Sequence, residues 1–156
     1  MRHAPSLVLG VVAAFLSCGV ARAEQINFKA DLSGASEEPP VATAAKGTAT
    51  AALDTASKTL DWTVTYTGLT PTAGHIHGPA APGANAGVLV PLGNPPFADP
   101  IKGSATLTDA QISDLEAGRA YINLHTADNK GGEIRGQLVR GNSRQRRTPA
   151  ARWPLV

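Results

Sequence analysis

Strict alternation of apolar and polar residues makes residues 59–67 the most regular segment of the chain. In an extended backbone one aspartate and four threonines share one face, and the other face holds Leu60, Trp62, Val64 and Tyr66. β-branched and aromatic residues favour strands. The segment therefore predicts a strand that buries its apolar face in a core and exposes its polar face to water.

Similar patterns, separated by turns rich in Gly and Pro, predict short strands along most of the chain. The predicted strands cover residues 25–31, 47–54, 59–67, a strand holding 75–77, 88–92, 101–107, 121–126 and 133–139. One helix is predicted over residues 108–118, where Thr108 and Gln111 fit a capping box and Gly118 suits the left-handed position after a helix. The predicted fold class is all-β, a Greek-key β-sandwich of about eight strands with one short crossover helix.

The start of the chain has a different composition. Residues 1–23 combine a charged start, an apolar run over 7–16 and Ala-Arg-Ala at 21–23, which is typical of a secretory signal peptide. The apolar run is too short for a transmembrane helix, so we expect a secreted or periplasmic protein. Cys18 supports an alternative, because the residues before it resemble a lipoprotein box in which the cysteine is the lipid acceptor.

The end of the chain differs from the rest in its balance of acidic and basic residues. Residues 24–139 hold 12 acidic and seven basic residues, whereas residues 140–156 hold five arginines and no acidic residue. We therefore expect a domain over 24–139 and a basic, disordered tail over 140–156. The alternative is a tail that binds polyanions or a membrane surface. The sequence contains no nucleic-acid-binding motif, so no nucleic-acid partner is expected.

Histidine supplies the clearest candidate chemistry. His75 and His77 lie two residues apart, so an extended backbone points both to one face while Ile76 points into the core. His125 lies in another predicted strand. Three converging imidazoles suit a divalent ion such as Cu(II) or Zn(II), with copper preferred because affinity peaks there, and they leave one coordination position open. A metal site at these three histidines requires the two strands to meet.

Charged residues after His125 are candidates for the surroundings of this site. Asp128 and Glu133 are expected to accept hydrogen bonds from imidazole N–H groups, as are nearby carbonyls. Arg135 would either steer anions toward the ion or pair with an acidic neighbour, Glu133 or Glu38. The alternative for the histidines is structural, with rings that bond loop carbonyls and orient a turn. No catalytic residue is predicted, because the chain has no Gly-x-Ser-x-Gly elbow.

Several separated motifs resemble the CHRD domain, the module found in chordin and in many secreted microbial proteins. They lie, in order, at residues 28–34, 38–41, 68–70, 75–80, 87–92, 115–125 and 132–138. The resemblance covers nearly the whole predicted domain. It implies an extracellular β-domain in a family whose molecular function is mostly uncharacterised.

Two of the motifs are also similar to copper-binding stretches of Cu,Zn superoxide dismutases. Residues 74–77 resemble the His-x-His strand of those enzymes, and residues 124–132 resemble the segment around their late copper ligand. This resemblance implies that three histidines match copper ligands: His75, His77 and His125. The chain lacks the histidine that bridges copper and zinc, the zinc-loop histidines with their aspartate, and a cysteine pair. The resemblance therefore implies a Greek-key sandwich with at most one metal.

The sequence leaves three functions open. The first is the binding of one transition-metal ion by a secreted protein, with copper as the favoured ion and zinc as the alternative. The second is a non-catalytic extracellular interaction module, whose loops contact a protein or surface partner and whose histidines are structural. The third is redox catalysis at an open copper site, as in the superoxide dismutases.

Overall fold

Nine strands and one α-helix form the chain over residues 24–141, the part that the computed structural model describes. The strands are β1 (Gln25–Ser33), β2 (Lys46–Asp54), β3 (Thr59–Thr67), β4 (Ala73–His77), β5 (Val88–Pro91), β6 (Ile101–Thr106), β7 (Tyr121–His125), β8 (Ile134–Gln137) and β9 (Val139–Arg140). The helix α1 (Asp109–Glu116) joins β6 to β7. The predicted signal peptide and residues 142–156 of the predicted tail lie outside the described residues, whereas Arg140 lies in β9.

The strands form one antiparallel sheet in the order β5-β4-β7-β8-β1-β2-β3-β6, with β9 paired to β1. The sheet folds over, because Leu60 of β3 lines the same small apolar cavity as Ile76 of β4 and Val90 of β5. One half of the sheet holds β5, β4, β7 and β8, and the other half holds β1, β2, β3 and β6. The chain crosses between the halves after β3, after β5 and after β6. The predicted all-β Greek-key sandwich with one short crossover helix is confirmed.

Small residues opposite large ones pack the half of the sheet formed by β1, β2, β3 and β6. Trp62 lies opposite Ala51 of β2 and Gly103 of β6. A Cβ atom at Gly103 would lie within 3.0 Å of three atoms of the indole ring, so glycine leaves the space that the tryptophan fills. The apolar face predicted for residues 59–67 is buried at Leu60, Trp62 and Val64.

The helix begins as the sequence predicts. Gln111 N–H donates to the Thr108 hydroxyl, and Thr108 N–H donates to the Gln111 side-chain oxygen, which forms the capping box. Gly118 follows the helix with φ at +70°. Leu115 is buried in the core. Gln111 and Leu115 line the same small cavity as Leu60 of β3 and Val90 of β5, so the helix packs where the two ends of the folded sheet approach each other.

One predicted strand is divided in two. Residues 133–139 form β8 and β9, which only Leu138 separates, and both pair with β1 in the same register. Leu138 N–H donates to the carbonyl of Ala120, which continues the pairing of β8 with β7. After this break, Val139 and Arg140 pair with β1. The last described strand, β9, therefore lies beside β1, next to the junction of the two halves.

We predict that Gly136→Ala destabilises the fold. Gly136 lies in β8, where an added Cβ would collide with the backbone carbonyl of Asp31 in β1. We expect a loss of about 1–3 kcal/mol in the free energy of unfolding, measured by urea denaturation. Gly87→Ala is the matched control, because a Cβ there meets nothing within 4 Å. Equal stability of the two variants would contradict this account of the junction.

Candidate metal centre

The pairing of β4 with β7 brings the three histidines onto one face. In this antiparallel pair, Ala73 lies opposite His125, and His75 lies opposite Asn123. Residues directly opposite each other share a face, and His77 follows His75 at the two-residue period. The alternate positions of both strands, which include Ile76 and Leu124, are buried in the core. The strands predicted to carry the ligands therefore meet, and the histidines lie on the side away from the core.

The ring nitrogens are close enough to share an ion. One nitrogen from each of His75, His77 and His125 lies within 4.8 Å of the others. Three atoms at that separation lie within about 2.8 Å of a common point, compared with a metal–nitrogen bond of about 2.0–2.1 Å. Each ring would therefore move by less than about 1 Å to coordinate an ion.

Backbone carbonyls orient two of the rings. His77 Nδ1 lies 3.0 Å from the carbonyl oxygen of Ala86, and His125 Nδ1 lies 3.0 Å from that of Lys130. A carbonyl can only accept a hydrogen bond, so each Nδ1 carries the proton. In the neutral rings, both Nε2 atoms are therefore unprotonated, which is the form that binds metals.

The third ring completes the cluster. His75 Nδ1 lies 3.0 Å from His125 Nε2, and because the latter has no proton, His75 donates this hydrogen bond. His77 Nε2 is buried and has no hydrogen-bond partner in the described part of the chain. An ion would replace the bond between His75 and His125, with the proton of His75 moving from Nδ1 to Nε2, and it would satisfy His77. The donor set would be Nδ1 of His75 with Nε2 of His77 and His125.

Burial keeps all three rings neutral. Loss of hydration lowers the pKa of each imidazole below the ordinary 6.5. The neighbouring ring of His77 lowers the pKa of His75 further. At His125 the hydrogen bond to Lys130 opposes the effect of burial on the pKa. Metal binding at neutral pH therefore requires little displacement of protons from these rings.

The two acidic residues predicted beside the ion lie in the loop after β7. Glu133 accepts hydrogen bonds from the hydroxyls of Thr126, at 2.6 Å, and Thr43, at 2.9 Å. These bonds, that from Thr126 first, lower the pKa of Glu133. Over residues 24–141 no side-chain hydrogen bond joins Asp128 or Glu133 to an imidazole. The carbonyls named above provide the acceptors instead.

Arg135 lies buried under the loop between β4 and β5. Its Nη1 donates to the carbonyl of Ala84 at 2.9 Å, and its Nη2 donates to Asn85 Oδ1 at 3.0 Å. Its Cζ lies 4.6 Å from the ring centre of Tyr121. Its Nε lies 3.2 Å from a carboxylate oxygen of Glu37. Arg135 therefore forms the ion pair expected of a structural residue, with Glu37 as the partner in place of Glu38 or Glu133.

Glu37 is the main residue of the site's surroundings that sequence reasoning missed. It lies in the loop after β1, two residues before a pair of prolines, and only 5% of its surface is exposed. Its carboxylate accepts from Asn123 Nδ2 at 2.9 Å. Burial raises the pKa of Glu37 to about 7, although the positive charge of Arg135 lowers it. The two-residue period of β7, which places Tyr121, Asn123 and His125 on one face, was the available sequence signal for this polar cluster.

Comparison with known proteins agrees with the motifs of the sequence. A family model described as the CHRD domain matches residues 28–138. No curated protein and no solved structure matches the chain. The likeness of the histidine motifs to Cu,Zn superoxide dismutases therefore stays a prediction. Within residues 24–141 no helix is long and apolar enough to cross a membrane.

We predict that His75, His77 and His125 each titrate below pH 6.5 in the metal-free protein. Their folded-state pKa values are lowered, so the native state favours the neutral rings. Their contribution to stability is full above the unfolded pKa of about 6.5 and is lost as the pH falls through the folded values. Long-range ¹H–¹⁵N NMR gives each pKa directly. Values at or above 6.5 would contradict the burial of the site.

We predict the opposite pH dependence for Glu37. Its pKa is raised from 4.5 to about 7, so its contribution to stability is full below pH 4.5 and is lost as the pH rises through about 7. The measurement is the free energy of unfolding of the protein and of Glu37→Gln across this range. The contribution of the histidines is the same in both proteins and drops out of the difference in the free energy of unfolding. The wild type should therefore lose stability relative to the variant as the pH rises. A difference that does not change with pH would contradict the raised pKa.

Proposed function

This chain belongs to the CHRD domain family, and on that basis we propose that it is a secreted or periplasmic protein that binds one transition-metal ion. The ligands are His75, His77 and His125, the ion is copper, and zinc is the alternative. The observation that carries the proposal is the approach of the three ring nitrogens to within 4.8 Å of one another on one face of the sheet.

The arrangement of the rings before any ion binds supports this function. The site is built from strands, and two of the three rings are fixed by carbonyls, so little ordering remains for the ion to impose. The buried Nε2 of His77 carries a lone pair that accepts no hydrogen bond in the described part of the chain. An unsatisfied buried polar group costs about 1–3 kcal/mol, and a coordinated ion would remove that cost.

The chemistry of the donors supports copper. Three neutral imidazoles are borderline ligands, and the affinity of such sites for divalent ions of the first transition row is highest for Cu(II). Three protein ligands leave a position for water or another small ligand. A tetrahedral preference of the site would favour Zn(II) instead, so both ions are tested below.

The organisation of the whole chain is part of the proposal. We assign residues 1–23 to a signal peptide, residues 24–139 to the CHRD-like domain and residues 140–156 to a basic tail. Export is supported by the composition of the first segment and by the extracellular setting expected of the family. Lipid attachment at Cys18 is the alternative route to the same compartment.

The second candidate function is a non-catalytic interaction module with structural histidines. The observation that favours it is the bonding of His77 and His125 to the carbonyls of Ala86 and Lys130, which a structural histidine would also form. The two functions differ in what removal of a histidine changes. Removal of a structural histidine changes only the free energy of unfolding, whereas removal of a metal ligand also changes the affinity for an ion.

We predict that the protein from Glu24 onward binds one Cu(II) per chain and that His77→Ala abolishes stoichiometric binding. The measurement is isothermal titration with Cu(II) and with Zn(II), using protein without an oligohistidine tag. The affinity should fall by more than the roughly 10- to 100-fold that is lost when a hydrogen-bond partner of a metal ligand is removed. Thr50→Ala, on the exposed face of β2, is the control and should bind as wild type does.

Two results would contradict the metal function. One is the absence of stoichiometric binding of either ion to the wild-type protein. The other is an unchanged affinity after His77→Ala. A variant that loses stability while the wild type shows no metal affinity would instead support the interaction module.

A further inference from the structure

The peptide group of Ala86 links a candidate metal ligand to a buried tyrosine. Its carbonyl accepts from His77 Nδ1 at 3.0 Å, and its N–H donates to the hydroxyl of Tyr121 at 3.2 Å. The same tyrosine lies opposite His77 across β4 and β7. The two rings stack, with centroids 5.0 Å apart and planes 6° from parallel. Tyr121 therefore contacts His77 directly and through the loop.

Arg135 holds the two residues before Ala86. Its guanidinium donates to the carbonyl of Ala84 and to the side-chain oxygen of Asn85, so three consecutive loop residues are bonded to the face of the sheet. Arg135 also lies over the ring of Tyr121. The order of the strands places Tyr121 of β7 between β4, which carries His77, and β8, which carries Arg135.

The loop itself has little else to fix it. Residues 81–85 are exposed, and Gly87 has no atom within 4 Å of where its Cβ would be. Loops without buried apolar contacts open easily. The bonds from Arg135 and Tyr121 keep the carbonyl of Ala86 at His77, together with two others: Asn85 Nδ2 donates to the carbonyl of Glu38, and Gly78 N–H donates to that of Gly87.

We propose that Tyr121 and Arg135 are positioning residues of the metal site, which hold loop residues 84–86 so that His77 keeps its proton on Nδ1 and presents Nε2 to the ion. The affinity of the site for an ion rests on the proposed function. The choice of tautomer does not, because it can be measured in the metal-free protein.

The chemical reason lies in the tautomers of imidazole. The hydrogen bond made by one ring nitrogen decides which nitrogen carries the proton. A neutral histidine in water favours the tautomer protonated at Nε2, which has no lone pair on that atom. When the Ala86 carbonyl leaves, His77 returns toward that form, and the atom that would bind the ion becomes blocked.

The test compares Tyr121→Phe with Tyr66→Phe. Tyr121→Phe keeps a ring for stacking but removes the acceptor of the Ala86 N–H. Tyr66→Phe is the matched control, because the only other tyrosine of the chain donates its hydroxyl to the carbonyl of Phe97, in the loop before β6. Asn85→Ala is a second variant, since it removes the bonds of the Asn85 side chain to Arg135 and to the carbonyl of Glu38 at an exposed position and leaves the core intact.

The first readout is the tautomer of His77 in metal-free protein, from long-range ¹H–¹⁵N NMR. We expect the Nδ1–H form in wild type and in Tyr66→Phe, and a shift toward the Nε2–H form in Tyr121→Phe and Asn85→Ala. The second readout is Cu(II) affinity, which should fall by roughly 10- to 100-fold in the two site variants. Denaturation midpoints are recorded for every variant.

The outcomes separate the two proposals. An unchanged His77 tautomer in both site variants overturns the positioning role, whatever happens to copper affinity. A shifted tautomer in a protein that binds neither copper nor zinc supports the positioning role and overturns the metal function. A shifted tautomer with weakened Cu(II) binding supports both.

Discussion

The antiparallel pairing of β4 with β7 is the constraint on which the rest of the site depends. Its register places His75 opposite Asn123 and sets His125 on the same face. A slip of one residue would turn every histidine of one strand into the core. The core residues between them, Ile76 and Leu124, prevent that slip because they are fully buried. The hydrophobic core therefore fixes the position of polar side chains that lie outside it.

The face that carries the histidines is unusual for a β-sandwich, because loops cover it and bury polar groups. Such groups are stable only when each has a partner. The loop after β1 brings Glu37 to Arg135, the loop after β4 brings Ala86 to His77, and the loop after β7 brings Lys130 to His125. Three buried polar atoms of this face have no hydrogen-bond partner in the described part of the chain: His77 Nε2, Asn123 Oδ1 and Arg135 Nε, the last of which lies 3.2 Å from the Glu37 carboxylate.

Local pattern predicted most of the fold. Alternation located the strands, and the capping box of Thr108 with Gln111 located the start of the helix, because both signals depend on neighbouring residues. The sequence also indicated the three histidines as candidates. It could not show that two strands some 50 residues apart are neighbours, since strand pairing is decided by packing over the whole sheet. The geometry of the cluster supplies what the pattern lacked.

The same physical reason explains the missed residues. Glu37 lies in a loop next to prolines, and no local pattern indicates that a loop will fold onto a sheet and bury a carboxylate. Its partner Arg135 was expected to pair with Glu133, two residues before it, or with Glu38, and no local pattern distinguishes Glu38 from the adjacent Glu37.

The most direct measurement of the central claim is X-ray absorption spectroscopy at the copper edge, on untagged protein loaded with one equivalent of Cu(II). The account predicts three imidazole nitrogens at about 2.0 Å, with the multiple-scattering pattern of histidine rings, and one further light-atom ligand. The triple replacement of His75, His77 and His125 by alanine should remove that signal. A spectrum with one imidazole or none in the wild-type protein would contradict the account.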